Sequence, residues 1–339
     1  IYSLSLHDAL PNWNTLQLNQ GPRVLQNDTI GSPTFSEIGF MSGVAQTDWS
    51  WTPVITDFNN DGYRDIIITN GFPKDVTDHD FITNRQNAYA AQTKQQVISQ
   101  IPSVKIHNYA YSNNGDLTFR DETLNWGLDI PTFSNGAVYA DLNNDGAMDM
   151  IINNIDDQAL IYKNTSRKNN AANTNYLQVK FKGDAHNLNG LGAWVDIYYD
   201  YGKHQVSENN PYRGYLSTNQ NIAHFGLGKI QVLDSVVIRW PNNKKQVIPQ
   251  VKTNQVLTVN ITNAQELYSW DSPKIAEKTL FKEVTKAVNV NFRHNEPDFV
   301  DFNIQKLLPH KLSDYSPALA VGDVDGNGLD DIIAGGNSN

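Results

Sequence analysis

The chain has 339 residues and a formal net charge of −10 at pH 7, which excludes nucleic acid as the expected partner because phosphates attract positive surfaces. Hydrophobic residues make up 39% of the chain, enough for packed cores, but no apolar run approaches the roughly 18 residues of a membrane helix, so we expect no transmembrane segment. The absence of cysteine excludes disulfides, thiolate metal sites and a cysteine nucleophile.

The beginning of the chain is set apart from the fold. Residues 1–11 (IYSLSLHDALP) resemble translated sequencing-adapter sequence, and we interpret them as a non-native leader. An ordinary loop before a strand is the alternative. The first methionine is Met41, so we expect the chain to be an internal piece of a longer protein.

Most of the remaining sequence predicts short β-strands. Runs of β-branched and aromatic residues are bounded by Asn, Asp and Gly, for example at residues 65–69, 136–140, 149–152, 235–240 and 256–259. Residues 84–100 alone predict a helix, since they are rich in Ala, Gln and Lys and lack Gly and Pro. One helical insertion in an otherwise β chain favours a sandwich, barrel or propeller.

Three loops repeat the pattern D-x-[ND]-x-[DN]-G-x-x-D. They are loop 1 (residues 57–65), loop 2 (residues 141–149) and loop 3 (residues 323–331). An apolar run precedes each loop and an Ile-rich run follows it. A repeated strand–loop–strand unit in a β chain predicts stacked propeller blades.

The composition of these loops predicts calcium binding. Ca²⁺ takes oxygen ligands, which a compact loop offers from side chains at positions 1, 3, 5 and 9 and from the carbonyl of position 7. Glycine at position 6 permits the turn around the ion. The fifteen predicted ligands, in about three sites, are Asp57, Asn59, Asp61, Tyr63 and Asp65; Asp141, Asn143, Asp145, Ala147 and Asp149; and Asp323, Asp325, Asn327, Leu329 and Asp331.

A metal-free turn is the alternative, because Asp, Asn and Gly occur in turns for conformational reasons alone. Three copies favour the metal, since the crowded carboxylates would otherwise repel one another. Mg²⁺ is disfavoured because it retains more of its water ligands.

The loops resemble those of FG-GAP/VCBS repeats, the calcium-bearing blades of integrin-like β-propellers. The surrounding phrases are similar to those of large secreted or surface-attached proteins of Bacteroidetes-type bacteria; they are residues 47–51 (TDWSW), 119–123 (FRDET), 126–128 (WGL), 281–285 (FKEVT) and 307–309 (LLP). This resemblance implies an extracellular or outer-membrane-attached location.

A second resemblance covers residues 175–262, which are similar to the ASPIC/UnbV domain, also found in the cartilage acidic protein family. Its motifs are residues 189–193 (NGLGA), 213–217 (RGYLS), 224–228 (HFGLG) and 236–241 (VVIRWP). Asn242-Asn243 replaces the usual turn with Gly, and Asn tolerates the left-handed conformation that such a turn needs.

The predicted fold is therefore mainly β, with partial propeller blades and calcium loops flanking an all-β, sandwich- or barrel-like domain. We assign residues 30–168 to FG-GAP/VCBS blades with the helical insertion at 84–100. Residues 175–262 form the ASPIC/UnbV-like domain, and residues 275–339 begin a further blade.

No other motif indicates catalysis. The eight histidines lack zinc spacing; we interpret His79 as part of a solvated loop and His224 as structural. Trp49, Trp51 and Trp126 favour packing between blades over contact with sugars. A glycosidase carboxylate pair remains possible on composition alone.

These features predict a non-catalytic, calcium-binding fragment of a large exported bacterial protein. It would act in adhesion, protein–protein binding or glycan binding at the cell surface, with a protein or glycan ligand as partner. The alternative is a propeller-based polysaccharide lyase or hydrolase. A third hypothesis is an integrin-like module whose calcium recruits a carboxylate of the partner.

Overall fold

The computed structural model describes residues 14–24, 30–75, 93, 96, 99, 101–270, 284–292, 300–304 and 318–335. The predicted leader, His79 and the predicted phrase at 307–309 lie outside the described residues, as does most of the predicted helix at 84–100, of which Gln96 and Ser99 are helical. The described residues within Ile1–Arg23 and Gly31–Pro273 form one compact unit, and those within Val24–Ile30 and Lys274–Asn339 form another.

The described chain is mainly β, as predicted. Its strands are β1 Gln17–Val24, β2 Ile30–Glu37, β3 Ser50–Thr56, β4 Asp65–Asn70, β5 Tyr109–Asn113, β6 Phe119–Asp121, β7 Ser134–Ala140, β8 Asp149–Asn154, β9 Leu160–Tyr162, β10 Asn175–Lys182, β11 Trp194–Tyr199, β12 Lys203–Glu208, β13 Ala223–Gly228, β14 Val232–Arg239, β15 Lys244–Lys252, β16 Gln255–Asn260, β17 Glu266–Leu267, β18 Ala318–Gly322 and β19 Asp331–Gly335. The α-helices are α1 Gly39–Ser42 and α2 Ser166–Asn170, and 3₁₀ turns span Ala171–Asn173, Ile261–Asn263 and Asp301–Asn303. Every helix among the described residues is too short or too polar to span a bilayer.

The first large sheet contains loop 1. Its antiparallel strands run in the order β3-β4-β5-β6, and loop 1 joins β3 to β4. Strand β4 is buried along its whole length. Ile66 and Ile68 pack into one core cluster and Ile67 packs into another. An apolar run covered on both faces of the sheet explains why the sequence of β4 lacks polar alternation.

The second sheet repeats the first. Its antiparallel strands run in the order β7-β8-β9, and loop 2 joins β7 to β8. Ala140 pairs with Asp149 in this sheet, as Thr56 pairs with Asp65 in the first, and both sheets shift register near the start of the first strand. The two sheets share one core cluster, to which the first contributes Val54 and Ile67 and the second Ala137, Met150 and Ile152.

Residues from β10 to β17 form a two-sheet sandwich. One sheet has the order β13-β10-β16 and the other β12-β11-β14-β15-β17. Both contribute to one core, in which Phe225 of the first sheet and Ile238 of the second are almost completely buried. Asn243 adopts φ 61° between β14 and β15, so the left-handed turn predicted at Asn242-Asn243 is present without glycine.

In the second compact unit, β18 and β19 form an antiparallel hairpin around loop 3. Gly322 pairs with Asp331, which is the register seen at the other two loops. Strand–loop–strand geometry was therefore predicted correctly for all three copies.

Candidate functional site

All three loops have the same internal hydrogen bonds. The backbone N–H of position 5 donates to the side-chain oxygens of positions 1 and 3. The two distances are 3.1 and 2.9 Å at Asp61, 3.0 and 3.0 Å at Asp145, and 3.1 and 3.0 Å at Asn327. Each loop therefore folds its position 1 and position 3 side chains inward over its own backbone.

The remaining bonds orient the carboxylates. The glycine N–H at position 6 donates to the second oxygen of position 1, at 2.7 Å in loop 1 and 2.8 Å in loops 2 and 3. The N–H of position 2 donates to one oxygen of the position 9 aspartate, at 2.9, 3.0 and 3.0 Å in loops 1, 2 and 3. These bonds orient the position 1 and position 9 carboxylates in each loop, but among the described residues three carboxylates come together only in loop 3.

Loop 3 gives the clearest cluster. Asp323, Asp325 and Asp331 each offer a carboxylate oxygen, and these oxygens lie within 4.8 Å of one another. Such a set consists of hard oxygen donors, which suits Ca²⁺. The donors of loops 1 and 2 belong to the same chemical class, with Asn59 and Asn143 at position 3.

The backbone is left-handed at two positions in each loop. Glycine at position 6 has a φ of 103°, 85° and 85° in loops 1, 2 and 3, as predicted. Position 4 has a φ of 58° at Asn60, 56° at Asn144 and 76° at Gly326. The sequence analysis did not predict a left-handed conformation at this position. The signal was present, since Asn and Gly are the residues that adopt this conformation most readily.

Two of the carboxylates of loop 1 are buried. Asp57 is 3% exposed and Asp65 is fully buried. Burial, with a smaller contribution from the nearby Asp61 carboxylate, raises the pKa of Asp65 to about 7. Burial also raises the pKa of Asp57 well above its usual range, with added contributions from Asp65 and Asp61. A bound cation would offset this cost, so the residues fit a calcium ion.

Loop 1 lies directly against the sandwich. A Cβ atom built on Gly226 would overlap the Asp57 carboxylate and come within 2.6 Å of the Asn60 Cα. The imidazole Nε2 of His224 lies 2.8 Å from Asn60 Oδ1, and the N–H of Gly228 donates to the Asn60 carbonyl at 2.8 Å. His224 is structural here, as predicted, and burial lowers its pKa to about 3.

Loop 2 is covered by the same sheet of the sandwich. The Gln178 amide donates to Asp141 Oδ2 at 2.8 Å, and Gln220 Oε1 accepts from the Asp141 N–H at 2.9 Å. The ring of Tyr176 lies where a side chain on Gly146 would have to be. The sequence analysis did not predict that the sandwich packs on loops 1 and 2. A signal was present for loop 1, because a glycine inside a strand, such as Gly226 in β13, indicates close approach of another backbone.

The three candidate tryptophans pack within the first unit. Trp49 stacks on Phe72 with ring centroids 4.9 Å apart, and the indole of Trp51 donates to the Gly71 carbonyl at 2.8 Å. Trp126 is partly buried against the core shared by the two sheets. The three side chains therefore take part in packing, while their place between propeller blades stays a prediction.

Comparison with known proteins supports one of the two resemblances. A family model described as ASPIC and UnbV matches residues 183–266. The match covers the sandwich from the segment after β10 to the start of β17. None of the curated proteins matches this chain.

Proposed function

We propose that this protein is a non-catalytic, calcium-binding protein of the exported bacterial type, in which FG-GAP/VCBS propeller blades accompany the ASPIC/UnbV domain. The calcium role rests on the hydrogen-bond network shared by loops 1, 2 and 3. The same donors hold the same acidic side chains in all three copies. A chain that needed only turns would not require inward-facing carboxylates three times.

In each loop the side chains of positions 1, 3, 5 and 9 and the carbonyl of position 7 would hold the ion. The ion would neutralise carboxylates that otherwise repel one another and so stabilise the folded state. Ion binding and folding are then coupled. The pKa of Asp65, raised to about 7 mainly by burial, supports this coupling, because a bound cation would offset the cost of the buried charge.

Thermal unfolding in calcium and in chelator, with calcium titration calorimetry, tests this role. We expect about three bound ions and a higher Tm in calcium. Asp61→Ala and Asp145→Ala should each remove one ion. Asp157→Ala is the matched control, since Asp157 pairs with Lys105 on the surface. A Tm that is equal in calcium and chelator would contradict the proposal.

The binding role at the cell surface follows from the family resemblances. We expect a protein or glycan ligand, and screening of calcium-loaded protein against glycan arrays and surface proteins tests it. The alternative, a polysaccharide lyase or hydrolase, predicts new chain ends when the protein is incubated with acidic or neutral polysaccharides. Catalytic turnover in that assay would replace the non-catalytic proposal.

A further inference from the structure

A cleft opens between the two sheets that carry loops 1 and 2. Its volume is about 310 Å³. This is the lower end of the roughly 300–1,000 Å³ found for small-molecule sites and equals about ten waters in the liquid. The lining comes from loop 1 and β4, from residues 125–128, from β8, and from the segment that leads from β9 into α2. Separate stretches of one compact unit therefore converge on the cleft.

The buried part of the lining is apolar. Ile67 and Met150, one from each sheet, and Leu128 belong to the core that the two sheets share. Trp126 packs partly against this core, with its ring centroid 6.2 Å from that of Phe58. A lining of aliphatic and aromatic side chains accepts the apolar C–H face of a ring-shaped ligand.

Two neighbouring side chains add unused hydrogen-bonding groups. Asn125 Nδ2 donates to Glu122 Oε2 at 2.6 Å, which orients the exposed Asn125 amide and leaves its Oδ1 without a donor among the described residues. The indole N–H of Trp126 is not buried and has no acceptor in the part of the chain that the structure describes. The cleft thus presents one free acceptor and one free donor beside its apolar surface, as the recognition of hydroxyl groups requires.

The rim of the cleft is positively charged. Lys163 lines it, is exposed and forms no hydrogen bond or ion pair with a described residue. Lys163 also lines an adjoining surface cleft with Arg167 and Lys168, where Asp145 supplies the one carboxylate among the lining residues described. The acceptors of the Arg167 guanidinium are a backbone carbonyl and an amide oxygen, both neutral, so its charge is not cancelled. A cationic rim in a chain with net charge −10 favours an anionic ligand.

We propose that this cleft binds a uronate, a pyranose sugar that carries a carboxylate. The C–H face of the ring would lie against Trp126 and Leu128. Its hydroxyls would donate to Asn125 Oδ1 and accept from the Trp126 indole, and its carboxylate would accept from Lys163. A fatty acid lacks the hydroxyls, and phosphate lacks the apolar face. The inference rests on the glycan-binding role proposed above and names the class of sugar.

Calorimetry on the full chain in calcium tests the site with glucuronate as the probe. We expect saturable binding of one glucuronate. Glucose, which lacks the carboxylate, should bind about threefold to tenfold more weakly, and cyclohexanecarboxylate, which lacks the hydroxyls, about tenfold more weakly. A hyaluronan oligosaccharide is the second arm. Tighter binding of this oligosaccharide than of glucuronate would identify a polysaccharide as the source, and the reverse would identify a free sugar acid.

Two variants at exposed positions locate the binding. Lys163→Gln should weaken glucuronate binding about threefold to tenfold and leave glucose binding unchanged, because only the carboxylate contacts the ammonium group. Asn125→Ala should weaken both sugars about threefold to tenfold, because both use the amide. Lys180→Gln is the matched control, since Lys180 is an exposed lysine of β10 outside the cleft lining.

Absence of saturable glucuronate binding, or equal glucuronate affinity in the wild type and Lys163→Gln, would overturn this site. A glycan that binds the wild type and both cleft variants equally would overturn the site and leave the proposed function standing. Equal Tm values in calcium and in chelator would instead contradict the calcium role without bearing on the cleft.

Discussion

Gly226 of β13 packs directly on the carboxylate of Asp57, the first residue of loop 1. No side chain fits between them, since a Cβ atom on Gly226 would overlap Asp57 Oδ2. The backbone of the ASPIC/UnbV domain at Gly226 therefore contacts a predicted calcium ligand, Asp57, directly. The geometry of the loop and the position of the domain are therefore physically linked.

Gly226→Ala is expected to destabilise the protein by about 1–3 kcal/mol, the usual cost of overpacking a tight contact. Because the added methyl displaces Asp57, calcium affinity at loop 1 should fall as well. Urea unfolding and calcium titration measure the two effects. Gly322→Ala is the control, since a Cβ at that strand glycine meets nothing within 4 Å. Wild-type stability and affinity in Gly226→Ala would show that the contact relaxes freely.

Gln178→Met keeps the size of a buried side chain but removes its hydrogen bond to Asp141. We expect a loss of about 1–2 kcal/mol in unfolding free energy, because Asp141 Oδ2 stays buried and loses a hydrogen-bond donor. Urea unfolding provides the measurement. Gln265→Met, at an exposed position, should change stability by less than about 0.5 kcal/mol. Equal effects of the two substitutions would contradict a special role for Gln178.

Stability in chelator should fall as the pH rises. The folded-state pKa of Asp65 is raised to about 7 from a usual value of 3.8, so the folded protein holds a proton that the unfolded chain releases. The stability present below about pH 4 is therefore lost progressively up to about pH 7. Saturating calcium should reverse this trend, because the ion binds the ionised form. Tm values measured from about pH 5 to 8 in chelator and in calcium test both pH dependences. Asp65→Asn should make the Tm in chelator depend less on pH.

Position 4 of loop 2 provides a test of backbone conformation. Asn144 is exposed and has a φ of 56°. Asn144→Ala should cost about 1 kcal/mol, since alanine adopts the left-handed region less readily, whereas Asn144→Gly should be close to neutral. Thermal unfolding compares the two variants at one site. Equal stability of the alanine and glycine variants would mean that the loop adapts without strain.

The sequence by itself determined the structure of each loop. The bonds that shape loop 1 join residues two to seven positions apart, such as Asp57 to Gly62 and Phe58 to Asp65. Contacts of this range depend on residue types at fixed spacing, so the pattern repeats wherever the motif does. The strands on either side followed for the same reason, since β-branched runs between turn residues carry a local signal.

Only the tertiary structure decided what the loops face. His224 and Asn60 are 164 residues apart in the sequence, yet they are hydrogen-bonded in the fold. Gln178 and Asp141 are likewise 37 residues apart and are hydrogen-bonded only because the sandwich packs on loop 2. The spacing of residues in the sequence does not predict such long-range contacts, because they depend on the shapes of surfaces that exist only once each part has folded. A strand glycine such as Gly226 signals a close approach but not the residue approached.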